Sequence, residues 1–288
     1  MRGRRVDGRL CASPEWLVRE EELRKSSAGV AVVTGTSGRV GNAVAQALDA
    51  AGWSVRGVDR APGPWTSIVG DLRAGHVRRA AVRAADVVIH AAALHAPHVG
   101  LVDDGEFRAV NVGATAALLD DAEAAEVQRV VYISSTSVYG DALVPTDRAV
   151  WVDESLPARP RDIYDETKLA AEELVTADAV LPEPLPVLAT RLLHRAVRLD
   201  DVAAATVSAV AHDAAVGIFN VAGQYPFIRT DCVALLQDAA SVIAERAPKV
   251  AAAFQDRGWL LPRTIESMTP VPLRTPSDIT PRRASSDC

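Results

Sequence analysis

Short apolar runs alternate with stretches of helical spacing over much of the chain. Val30-Ala31-Val32-Val33, bounded by Gly29 and by Thr34-Gly35, reads as a buried strand. Residues 40–51 follow with apolar positions three and four apart, the period of a helix packed on one face. Further strands are predicted at 53–59, 85–90, 127–134 and 187–192, and further helices at 111–122 and 163–177. Strand and helix in strict alternation at this spacing predict an α/β fold, a doubly wound parallel sheet with helices on both faces. The last third is less regular: helical at 202–211, strand-like at 217–221, and helical again at 230–246 with Thr230 or Asp231 as the cap.

The pattern divides the chain. Residues 1–28 are a polar extension with a brief helical pattern at 16–25, residues 29–193 carry the alternating elements, and residues 194–267 form a small second lobe. From 268 the chain turns rich in Pro, Ser and Thr with no apolar period, which predicts a disordered tail. No internal repeat is present.

Composition narrows the classes. Of 288 residues, 49% are apolar and 24% charged, so a globular core is expected. A net charge of −6 argues against nucleic-acid binding. Cys11, Cys232 and Cys288 lie far apart and form no CxxC unit, which fits a reducing compartment and argues against a cysteine-built zinc site. No apolar core follows the basic start, and no run approaches the roughly 20 apolar residues of a spanning helix. A cytoplasmic protein with no membrane partner is the expectation.

The first strand runs into Thr34-Gly35-Thr36-Ser37-Gly38-Arg39-Val40-Gly41, which opens the first helix. Gly35 suits the tight turn, Gly38 lets backbone approach a pyrophosphate, and Gly41 lets helix pack closely on strand. The helix N-terminus then offers free N–H groups and a positive dipole to phosphate. Asp59 ends the next strand 18 residues after Gly41, near the offset expected of a carboxylate that binds the adenosine ribose. It favours NAD, while Arg60 beside it and Arg39 in the loop leave NADP open. Asp71-Leu72 could face the adenine amine, and Ala91-Ala92-Ala93 would let the sheet approach a flat cofactor.

A second constellation follows. Val131 to Gly140 is a strand entering a hydroxyl-rich turn with Ser134, Ser135, Thr136 and Ser137. Tyr164 and Lys168 are i and i+4 on a predicted helix and share a face. An ammonium beside a phenol favours the phenolate and is expected to lower its pKa, so Tyr164 could take a proton from a substrate alcohol. Ser135 could hold the same oxygen while hydride leaves for a nicotinamide at the glycine loop. Lys168 is one of only three lysines, with Lys25 and Lys249, against a background rich in Arg.

These residues, together with Asn111-Val112 and Val138-Tyr139-Gly140, resemble the NAD-dependent epimerase/dehydratase family of the extended short-chain dehydrogenase/reductase superfamily. The resemblance spans 29–193 and resumes faintly from Leu199 to Val221. It implies a Rossmann-type domain with a smaller C-terminal substrate lobe and a catalytic set of Ser135, Tyr164 and Lys168, with Tyr164 and Lys168 also against the cofactor. It implies Asn111 as a structural, cofactor-side residue and His95 as a cofactor contact. It also implies a nucleotide sugar as substrate and a homodimer through two helices beside Tyr164. Dehydratases of the family carry Asp-Glu after the catalytic hydroxyl, whereas this chain has Thr136-Ser137. That favours an epimerase or dehydrogenase over an elimination. The chain passes from His194-Arg195 almost directly to Asp200-Asp201, so the substrate lobe is expected to be shortened.

Other readings stay open at this point. One is an NAD(P)-dependent reductase of a different alcohol or ketone. Another is a dinucleotide-binding relative with impaired catalysis, favoured by the short link at 194–199. His95 and His98 are i and i+3 but flank Pro97, and no HExxH unit occurs, so no metal is expected.

Overall fold

The computed structural model describes residues 28–177, 186–190, 198–212, 216–221, 226–256, 260–261, 263–265 and 267–268. The expected extension at 1–27, the expected tail from 269 and the link at 191–197 lie outside the described residues.

Five parallel strands make the central sheet: β1 (Val30–Thr34), β2 (Ser54–Asp59), β3 (Thr66–Val69), β4 (Val87–His90) and β5 (Arg129–Tyr132). Their order is β3-β2-β1-β4-β5, so the chain winds outward in one direction from β1 and then returns to wind in the other. The change of direction lies between β1 and β4 and opens a crevice at their C-terminal ends. β7 (Pro186–Thr190) pairs in parallel with β8 (Gly217–Val221) and runs beside β5.

The strands are apolar on both sides because both faces are covered. On one face Ala31, Val33, Val87, Ile89 and Val131 pack under α1 (Arg39–Ala50) and α6 (Leu199–Ala211). On the other, Val32, Val88, Val130 and Tyr132 pack under α2 (Gly75–Val82), α4 (Ala114–Ala124) and α5 (Ile163–Ala177). Successive residues of one strand thus serve opposite cores. Arg129 is a buried exception: its Nη1 donates to Ala209 O at 2.6 Å and His212 O at 2.7 Å, filling carbonyls at the end of α6.

The helix expected at 111–122 begins earlier and in a different form. A single turn, α3 (Asp104–Phe107), leads into π-helix at Arg108–Gly113 and only then into α4. The second lobe has its own core, in which Cys232, Leu235, Ala239, Val242 and Ile243 of α7 (Cys232–Arg246) pack with Ala149 and Trp151. Helix α8 (Pro248–Asp256) follows. The short strand β6 (Val150–Trp151) pairs with β9 (Ser267–Met268), so Met268 lies in a strand and not in the expected tail. The cap expected at Thr230 or Asp231 is realised differently. The Asp231 carboxylate accepts from Ile228 N at 2.9 Å and from Arg246 at 2.9 Å, behind the helix start.

Candidate active site

The crevice between β1 and β4 is a cavity of about 310 Å³. The glycine loop forms one wall. Gly35 has φ +74°, and a Cβ there would stand 2.9 Å from Ala92 N, so loop and alanine run touch backbone to backbone. A Cβ on Gly41 would lie 2.2 Å from Gly35 O, which is why the start of α1 can press on the end of β1. Gly35, Ser37 and Gly38 line the cavity; the exposed Arg39 and the core-packed Val40 do not.

Asp59 lines the same cavity with Arg60. Its Oδ2 accepts from Ser37 N at 3.0 Å and its Oδ1 from Ala61 N at 2.9 Å, so it ties the loop to the end of β2. A carboxylate has about four acceptor sites, so room remains for ribose hydroxyls. Asp71 and Leu72 are also in the wall, and Asp71 is gripped by Arg73, whose hydrogen bonds hold that carboxyl below the usual range. Arg73 continues to Glu106 at 2.8 Å.

Ala91, Ala92, Ala93 and His95 line the opposite wall. They are placed by a buried network that sequence reasoning missed. Thr34 Oγ1 accepts from Ala91 N and Ala92 N, both at 3.1 Å, and lies 2.7 Å from His90 Nδ1. His90 Nε2 is 2.9 Å from Thr115 Oγ1, and Thr115 donates its proton to Asn111 O at 2.7 Å. Proton counting then fixes the tautomer. With the Thr115 proton spent, His90 Nε2–H must donate to Thr115, so Nδ1 accepts from Thr34. Burial agrees, pushing the His90 pKa down to about 3 and keeping the ring neutral. Asn111 does not line the cavity. Its side chain accepts from Leu94 N at 2.7 Å and donates to Leu94 O at 2.9 Å and to Thr167 at 3.1 Å, bracing the wall against α5.

Ser135, Tyr164 and Lys168 do not line the cavity; Tyr164 packs with the apolar cluster of Leu94, which does. The Ser135 hydroxyl lies near enough to the Tyr164 phenol to favour its ionised form. Lys168 is 2% exposed, donates to Ile133 O at 2.6 Å, and sits 4.2 Å from the Tyr132 ring centroid. Burial pushes its pKa down to about 7, with the Glu172 carboxylate pulling the other way. Glu172 itself is buried and accepts from Ser134. The expected acidification of Tyr164 is not what these residues produce. Burial raises its pKa, the Ser135 hydroxyl opposes this, and Asp165 and Asp162 add to the rise. The i, i+4 spacing places both side chains on one face, but the ammonium turns to Ile133 O instead of the phenol.

Residues 31–192 match the family model described as NAD dependent epimerase/dehydratase family. The chain belongs to that family. Among characterised members it is 40% identical over 162 residues to a 3 beta-hydroxysteroid dehydrogenase/Delta 5-->4-isomerase of Mycobacterium tuberculosis, covering 52% of this chain and 42% of the relative. A UDP-glucose 4-epimerase of Streptomyces lividans is 32% identical over 162 residues, covering 52% and 48%. The chain thus matches less than half the length of these family members. In structure it is similar to MoeE5 in complex with UDP-glucose and NAD, with a TM-score of 0.57 and 27% identity, covering 84% of this chain and 86% of that one. The epimerase/dehydratase fold accounts for the wound parallel sheet. Among the described residues no group of three or more His, Cys, Asp or Glu could hold a metal, and no helix is long and apolar enough to cross a membrane.

Proposed function

We propose that the chain is an NAD-dependent oxidoreductase or epimerase that acts on a hydroxyl-bearing carbon, with Tyr164 as the proton-transferring group. The observation that carries this reading is the glycine-lined crevice with Asp59 in its wall, and Tyr164 packed with the cluster of Leu94 from that wall. The fit to a dinucleotide rests on the same wall. Gly35 and Gly41 leave no room for side chains where loop, helix and strand meet, and Asp59 stands at the strand end with acceptor sites to spare. NAD, when bound, supplies the hydride acceptor and a positive charge on its ring. Tyr164 takes the substrate proton and Ser135 orients the substrate oxygen, while Lys168, on the same helix, is held by Ile133 O.

The finer reading is a nucleotide sugar. The 40% identity to a steroid dehydrogenase covers only 52% of this chain. The neighbour carrying UDP-glucose and NAD covers 84% of the chain. A hydroxysteroid is the rival, favoured by that higher identity. Calorimetric titration with NAD, then turnover assays with UDP-sugars and with 3β-hydroxysteroids, test both levels. Tyr164→Phe should abolish turnover and leave NAD affinity within about tenfold, since one hydrogen bond is lost. Unchanged turnover removes Tyr164 from the mechanism.

A further inference from the structure

Lys168 lies on α5 with 2% of its surface exposed, and two consecutive residues meet its ammonium: Tyr132, the last residue of β5, and Ile133 after it. Ile133 O accepts from Nζ at 2.6 Å. The Tyr132 ring presents its face, with Nζ 4.2 Å from the ring centroid. Tyr132 is 1% exposed and packs in one cluster with Ala171 and Val175 of α5, so strand and helix hold the ring against the helix that carries the lysine. His90, its register partner on β4, packs against the same ring, with centroids 5.7 Å apart and planes tilted by 41°. Among the described residues the Tyr132 hydroxyl makes no hydrogen bond, so the ring face and not the hydroxyl meets the cation.

An ammonium has three protons to place and accepts nothing. Burial removes the water that would take them, and Ile133 O takes one. The face of an aromatic ring is negative and attracts a cation within about 6 Å, most strongly where water is excluded. We infer that Tyr132 is the positioning residue of Lys168: its ring face and Ile133 O form a two-part seat that keeps the buried ammonium charged and fixed at the end of β5. Tyr132 does not line the crevice, so it acts through Lys168.

The seat matters because the charge of Lys168 is close to balance. Burial brings its pKa down to about 7, with the Glu172 carboxylate on the same helix opposing. His90, His95 and Tyr132 act on it as neutral groups, since burial pushes both imidazoles down and the phenol up. A loss of one further unit would leave about one Lys168 in ten charged at pH 7. The inference rests on Lys168 as a group of the proposed site, but its charge can be read without NAD or a substrate.

Only three lysines occur, so lysine labelled with carbon-13 at Cε gives three signals, and Lys168→Met identifies the one to follow. Its titration is measured in the cofactor-free chain. Tyr132→Phe keeps the ring and should leave the midpoint in place. Tyr132→Leu removes the ring and should lower the midpoint by about one pH unit, the size of a desolvated cation–π contact. A ring that only fills space predicts the reverse, because a smaller side chain admits water and raises the midpoint. An unchanged or raised midpoint in Tyr132→Leu, or an equal fall in Tyr132→Phe, overturns the inference. If Tyr132→Leu does not fold, difluorophenylalanine placed at 132 keeps the shape and weakens the negative face. The midpoint should then fall below that of Tyr132→Phe, and equal midpoints overturn the inference. Failure of NAD binding would overturn the proposed function and leave this result standing.

Discussion

The Asp59–Asp71 end of the crevice and the Ser135–Tyr164–Lys168 end of the fold are built on different physics. At the Asp59–Asp71 end the charged groups are in water. Asp71, Arg73 and Glu106 are each about a third exposed or more, and Asp71 is held low chiefly by a partner, Arg73. At the Ser135–Tyr164–Lys168 end burial is the leading cause of every shift: Lys168 falls to about 7, while Tyr164 and Asp165 rise. Solvated ion pairs contribute little energy and change little near neutral pH. Buried groups poised near neutrality can exchange protons there. One end is suited to recognition and the other to chemistry.

The largest expected effect attacks the recognition end through its backbone. Gly41→Val would drive a side chain into Gly35 O, and about 3 kcal/mol of stability should be lost, read from urea unfolding, with NAD affinity falling alongside. A fully stable Gly41→Val variant would mean that α1 does not press on the β1 turn.

Next comes the buried His90 network. His90→Phe leaves the Thr34 and Thr115 hydroxyls without their ring partner and should cost about 2 kcal/mol at neutral pH. The pH dependence has a definite sign. The folded ring titrates at about 3 and the unfolded one near its ordinary 6.5, so between these values the unfolded chain binds a proton that the folded one refuses. Stability is therefore full above 6.5 and falls as pH drops toward 3. The Phe variant should lose part of that acid slope in denaturation midpoints taken across the range.

The smallest effect sharpens the recognition end itself. Asp59→Ala should weaken NAD by roughly tenfold, the worth of a charged hydrogen bond, and weaken NADP less. Calorimetry with both dinucleotides reads it, and equal losses would show that Asp59 holds the loop without touching ribose.

What could be read from the sequence at each end follows from how local its determinants are. The spacing of Gly35, Gly38 and Gly41 lies within seven residues, and the Tyr164–Lys168 face follows from helix geometry alone. Thr34, His90 and Thr115 gave no such sign, since Thr34 and His90 meet across 56 residues and only the pairing of β1 with β4 brings them together. The π-turn before α4 left no trace in the apolar period. The direction of the Tyr164 shift was misread for a related reason. Spacing places a lysine on a face, but only the fold shows that Ile133 O captures its ammonium.

Arg129 has a bearing on synthesis at the ribosome. Its guanidinium sits in the last strand of the central sheet and closes on carbonyls that emerge about 80 residues later. Until α6 has left the exit tunnel, those two bonds cannot form and the α6-facing side of the sheet lacks its cover. A nascent chain stalled ahead of residue 199 would hold every residue that lines the crevice and still expose an apolar face of the sheet to chaperones, because the helix that covers that face comes last.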